Sequence, residues 1–156
     1  DFKIYNDRCG HVDGDHALEA LGRTIKQSVR DVDFPARYGG DEFAVILPET
    51  DEIEACTAAE RLRACIEQCK VPNQGVLPGG KLTVSIGMSS YPASADTEEE
   101  LIRKADAALY RAKRKGKNRV AMCSREKDGK QAVPLIKDDS EPEQRARAVD
   151  IRETPG

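Results

Sequence analysis

The chain has 156 residues, 38% of them apolar and 34% charged, with no tryptophan and a formal net charge of -3. That length supports one domain with a sizeable core. The balance of basic and acidic residues and the scarcity of stacking aromatics exclude an extended nucleic-acid face, while local basic clusters suit a small phosphorylated ligand. No apolar run nears the roughly 20 residues that span a bilayer and no leader pattern opens the chain, so this segment is expected in the cytoplasm. Five cysteines (Cys9, Cys56, Cys65, Cys69, Cys123) are odd in number and lie mostly within apolar periodicity. They are expected to be reduced and packed, and the absence of paired histidines beside Cys65 and Cys69 argues against zinc.

In chain order, Asp15 is placed to cap a helix over 16–29, where Leu18, Leu21, Ile25 and Val29 recur at steps of three or four. "FPARYGGDEFAVILP" reads as strand, tight turn, strand, with Phe43, Val45 and Leu47 on one face and Ala44 and Ile46 on the other. Both faces are apolar, which predicts a covered sheet. Thr50, Asp51 and Glu52 open a second helix whose buried stripe is Ile53, Cys56, Ala59, Leu62, Ile66 and Cys69. The turn-rich "VPNQGVLPGG" ends it. "KLTVSIGMSSYP" alternates as a strand, and Thr97 with Glu100 forms a capping box for a third helix. Leu101, Ala105, Ala108, Leu109 and Ala112 line its apolar face, and Arg111, Lys113, Arg114, Lys115 and Lys117 crowd its C-terminal end near Gly116. "NRVAMC" makes a short last strand, and residues 124–156 are charged and aperiodic, as in a disordered tail or linker. The order predicts an α+β fold with helices packed on a largely antiparallel sheet.

The turn "YGGDEF" is the chemically pointed stretch. Adjacent Asp41 and Glu42 repel each other unless a cation or water offsets the charge, so a metal is the sharper reading; solvated hairpin-tip residues are the plainer one.

Four pieces in order, "FKIYNDRCGHVDGD", "RYGGDEF", "TVSIGMSSYP" and "ADAALYRAKRKGKNRV", together resemble the diguanylate cyclase domain, the family named for its Gly-Gly-Asp-Glu-Phe signature. The resemblance runs from Phe2 to Val120 and implies a nucleotidyl cyclase-like, ferredoxin-like palm over residues 1–123. It implies the condensation of two GTP into cyclic di-GMP with release of two pyrophosphates, by a homodimer in which each copy presents one substrate. Asn6 and Asp15 match the guanine-reading positions, and a carboxylate and an amide suit that edge. Standing alone, Asp15 reads as a helix cap; beside Asn6 and "GHVDGD" the base-reading role is preferred.

Asp41 matches the family's metal-binding carboxylate, also proposed as base for the 3′-hydroxyl, with Glu42 next to it; Mg2+ or Mn2+ is the implied cofactor. Gly39 and Gly40 let the backbone approach the triphosphate, and Lys3, Lys113 and Lys117 fall at phosphate-contacting positions. Lys117 stands where relatives often carry arginine and so lacks the bidentate fork. Arg37 reads as supporting phosphates or pairing with the acidic tip, His11 as a structural loop residue and His16 as a surface one. "RDVD" has the family's Arg-x-x-Asp spacing for product inhibition, so Arg30 and Asp33, completed by Arg61, are the expected inhibitory site for cyclic di-GMP.

The family's first strand ends in an Asp-x-Asp pair before "FK", where here only Asp1 precedes Phe2, off the ligand position. Truncation is the reading; the alternative is a catalytically inactive domain that binds GTP or cyclic di-GMP as a regulatory module. A nucleic acid is not an expected partner, and a membrane is expected only through an upstream sensor region.

Overall fold

The computed structural model describes residues 2–123. It contains α1 (Phe2–Cys9), α2 (His11–Ser28), β1 (Phe34–Gly39), β2 (Glu42–Ile46), α3 (Glu52–Gln68), β3 (Ile86–Met88), α4 (Glu98–Arg114) and β4 (Val120–Met122). Two 3-10 turns, Gln74–Val76 and Pro78–Gly80, stand between α3 and β3. The α+β class is as expected; the strands form two two-stranded ladders, β1 with β2 antiparallel and β3 with β4 parallel. The tail assigned to 124–156 lies outside the described residues, and among those described no helix is long and apolar enough to cross a membrane.

One apolar cluster unites Tyr5, Ala17, Leu21, Ile25, Ile66, Val71, Leu77 and Leu82. α1, unforeseen from the sequence, has eight residues, too few to hold a helix in water unaided. Tertiary contact holds it: Tyr5 is 1% exposed, and its hydroxyl donates to the Pro72 carbonyl at 2.5 Å. α2 starts at His11, behind Gly10 with φ 83°, and has no side-chain cap. Asp15 therefore does not cap it; the helix begins about a turn earlier and runs through Gly14 and Asp15.

The capping box expected at α4 is half formed. Thr97 Oγ1 accepts from the Glu100 N–H at 3.2 Å, but the Glu100 carboxylate accepts from Asp96 N–H at 3.0 Å rather than from Thr97. The reciprocal box occurs at α3, between Asp51 and Glu54. Of the α3 stripe, Ala59 and Ile66 are buried and Cys56, Leu62 and Cys69 half-buried, whereas Ile53 is 79% exposed: the first turn is held by its cap rather than by packing. All five cysteines are free and half-buried, with Cys9 and Cys69 packed against the core. The strand expected over 81–92 is confined to Ile86–Met88.

The hairpin pairs Phe34 with Ile46, Ala36 with Ala44 and Arg37 with Phe43. Phe43 and Val45 pack against the core, but Phe34 and Ile46 are 63% and 65% exposed. The covered sheet expected from two apolar faces is thus corrected, because the strand alternation turns only one of them toward the core.

Two glycines test this packing. A Cβ on Gly87 would lie 2.2 Å from the Ala105 carbonyl oxygen and the Leu109 nitrogen, both backbone atoms of α4 that have nowhere to go, whereas one on Gly22 would rest 3.7 Å from the Phe43 ring. Gly87→Ala should therefore cost about 3 kcal/mol or more of unfolding free energy. Gly22→Ala, inside a helix, should gain about 0.5–1 kcal/mol. Urea denaturation of both variants measures this, and a Gly87→Ala protein as stable as the parent would refute the β3–α4 contact.

Candidate active site

The hairpin tip is built by local strain that glycine relieves. Register slips between Arg37 and Gly39, and Gly40 takes φ 49°. A Cβ on Gly39 or Gly40 would meet nothing within 4 Å, so open space surrounds the backbone there. Arg37 Nε donates to the Gly40 carbonyl at 2.9 Å and ties strand to turn. Asp41 and Glu42 are exposed. Glu42 Oε1 lies 4.0 Å from Lys113 Nζ, so tip and basic end of α4 meet although distant in sequence. An exposed pair of this kind adds only about 0–1 kcal/mol, so its interest is positional.

Lys117 sits beyond the α4 C-cap, with φ 58° followed by φ 44° at Asn118. Two successive left-handed residues need support, which α3 supplies. Arg63 Nη1 donates to Asn118 Oδ1 at 2.8 Å and Glu67 Oε2 at 3.0 Å, and Asn118 Nδ2 donates to Glu67 Oε1 at 3.2 Å. Arg63 and Asn118 hold Glu67 below the usual carboxylate range. Sequence reasoning missed this brace; the i, i+4 spacing of Arg63 and Glu67 was its trace.

Asn6 projects from α1 toward α2. Its Oδ1 is the one buried side-chain polar atom among the described residues that has no hydrogen-bond partner. Asp15 is exposed on α2 and lines a cleft of about 570 Å³ with His16, Leu18, Glu19, Arg37 and Phe43. The structure thus brings Asp15 to the hairpin through Arg37. His16 is exposed as expected and forms part of the cleft wall; His11, expected in a loop, opens α2, and Lys3 is exposed on α1.

Among the described residues no three His, Cys, Asp or Glu side chains gather as a metal site. Two carboxylates fit magnesium nonetheless, since that ion typically takes one or two from protein and fills its octahedron with phosphate and water.

A second cluster forms behind α2. Arg30 Nε and Nη2 donate to Asp33 Oδ1 at 3.2 and 3.0 Å, the Arg30 N–H donates to Asp33 Oδ2 at 2.7 Å, and Nη2 reaches Thr50 Oγ1 at 2.6 Å. Asp33 is 5% exposed, and its bonds from Arg30 hold its carboxyl below the ordinary range. Arg61 donates to the Ser28 carbonyl at 3.1 Å and shares a pocket of about 390 Å³ with Arg30, Ser28 and Cys65. Asp33 serves here to position Arg30, and Arg30 and Arg61 both line the pocket.

Residues 1–119 match the family model described as "Diguanylate cyclase, GGDEF domain". Diguanylate cyclase A of Treponema denticola is 40% identical over 124 residues, covering 78% of this chain but 32% of its own length. The chain therefore spans about a third of that curated relative. The GGDEF domain of DgcB from Caulobacter crescentus, solved in complex with c-di-GMP, superposes with a TM-score of 0.69 at 33% identity, covering 78% of this chain and 71% of that one. The active GGEEF domain of a diguanylate cyclase from Vibrio cholerae gives 0.72 at 30% identity, covering 81% and 78%.

Because the folded Asp33 carboxyl titrates below its unfolded counterpart, its contribution to stability is present above about pH 4 and is lost as pH falls through the lower folded value. Asp33→Asn should cost about 1–3 kcal/mol at neutral pH and flatten the acid limb of the stability curve. Thermal unfolding from pH 7 to 2.5 checks both, and an unchanged acid limb would show that the Arg30 contact carries no stability.

Proposed function

The chain belongs to the GGDEF family of diguanylate cyclase domains, and from that premise we propose that it condenses two GTP molecules into cyclic di-GMP, one GTP held by each of two copies. The observation that carries this reading is the meeting of acidic tip and basic helix end at Glu42 and Lys113, beside a cleft whose wall includes Asp15. A nucleoside triphosphate needs these three elements together: a place for the base, cations for the phosphates, and carboxylates for a divalent ion.

Each part of the chain then has a task. Asp15 accepts from the guanine N1 and N2 hydrogens, and Asn6 contributes its amide to the same edge. Gly39 and Gly40 admit the triphosphate to the backbone, and Lys113, Lys117 and Lys3 hold its oxygens. Asp41 takes the proton of the 3′-hydroxyl as that oxygen bonds to the α-phosphorus of the partner's GTP; the α–β phosphoanhydride bond breaks in line and pyrophosphate leaves. The reciprocal step closes the ring, which is why a homodimer is required. Asp41 and Glu42 would hold magnesium, or manganese in its place, which when bound neutralises phosphate charge.

The pocket of Arg30 and Arg61 is read as the inhibitory site for cyclic di-GMP. Guanidiniums that stack on guanine and fork onto phosphate suit it, and the DgcB domain that this chain resembles was solved with that dinucleotide.

Asp41→Ala should lower cyclic di-GMP formation from GTP and magnesium by at least a hundredfold, followed by mass spectrometry, with the unfolding midpoint unchanged because the side chain is exposed. Full activity in that variant would remove the assignment. Cyclic di-GMP binding by the parent protein with no product formed would favour the regulatory-module reading instead.

A further inference from the structure

Gly14 is buried in the first turns of α2, where alanine is the better helix former, so its presence calls for a reason. The reason is its neighbour. A Cβ built on Gly14 would fall 1.8 Å from Asn6 Oδ1, 3.0 Å from Asn6 Cγ and 3.4 Å from the Phe2 ring, and that same Oδ1 is the buried oxygen without a hydrogen-bond partner. Asn6 thus rests its amide directly on the bare Cα of α2. The obstacle that a methyl would meet is the far end of a two-torsion side chain, not backbone as at Gly87. An added methyl therefore displaces the Asn6 amide and leaves the helices standing. With Oδ1 pressed against α2, Nδ2 is the amide atom left to address a ligand, as a donor to a guanine acceptor, while Asp15, the next residue along, supplies the acceptor.

We infer that Gly14 is a positioning residue for nucleotide selection: by presenting no side chain it fixes the Asn6 amide in the orientation that discriminates guanine from adenine. This rests on the reading of Asn6 and Asp15 as the base-recognising pair. A merely structural glycine at a helix crossing would, when replaced, lower stability without altering which base is preferred. A positioning glycine does the reverse.

The test compares the full chain, Gly14→Ala, Asn6→Ala and the double variant by calorimetry with GTP and with ATP in magnesium, alongside unfolding midpoints without nucleotide and the Asn6 side-chain amide resonance of the parent and Gly14→Ala. Gly14→Ala should keep its midpoint within a few degrees and shift that resonance. It should lose at least tenfold in GTP affinity with little change for ATP, and add less than twofold when combined with Asn6→Ala. A parental GTP-to-ATP ratio in Gly14→Ala overturns the inference, as does a further tenfold loss on the Asn6→Ala background or unfolding of the single variant. Should the parent chain itself not distinguish GTP from ATP, the base-recognition reading fails and nucleotide selection by Gly14 fails with it, while the resonance shift still reports whether Gly14 sets the amide.

Discussion

Arg37 sits in β1 opposite Phe43, on the wall of the α2 cleft, and donates to the carbonyl of Gly40 at the apex of the turn. That bond couples the least regular piece of backbone in the site to the hairpin that packs on the core. Without it a turn carrying two glycines and two adjacent carboxylates would rest on the exposed Glu42–Lys113 pair alone among side-chain contacts of the described residues. At the tip, Glu42 faces Lys113 in the last turn of α4. Arg37 thus ties the acidic tip to the strand that walls the α2 cleft, and Glu42 links that tip to the basic helix end.

Arginine recurs as the device that turns loops into sites. Arg63 braces the left-handed pair after α4 through Glu67 and Asn118, and Arg30 is locked by the buried Asp33 while also touching Thr50. In each case a planar fork with several donors fixes more than one neighbour at once, which the single point charge of a lysine does not. The lysines, by contrast, stand exposed at the places where phosphates are expected.

The three longer helices and the hairpin were legible because each owes its existence to local pattern: apolar steps of three and four, alternation of two, and Asp51 or Thr97 at a start. What escaped depends on contacts distant in sequence. α1 is too short to announce itself and exists because Tyr5 reaches the core. The start of α2 was misplaced because Asp15 reads as a cap and Gly14 as a loop residue until the side chains of Asn6 and Phe2 are seen against Gly14. The outer face of β2 is apolar in sequence yet uncovered among the described residues, since composition says which face is able to be buried and not whether a partner is there. The site residues were named by motif, but the brace of Arg63, Glu67 and Asn118 and the seat under Asn6 emerge only in three dimensions.

The proposed activity depends on the carboxylates of Asp41 and Glu42 holding a nucleotide's phosphates through a divalent ion. Titrating GTP into the full chain by calorimetry, first with magnesium and then with a chelator, measures this directly. GTP affinity at least tenfold weaker once the ion is removed is the predicted result. Equal affinity with and without it would contradict the account.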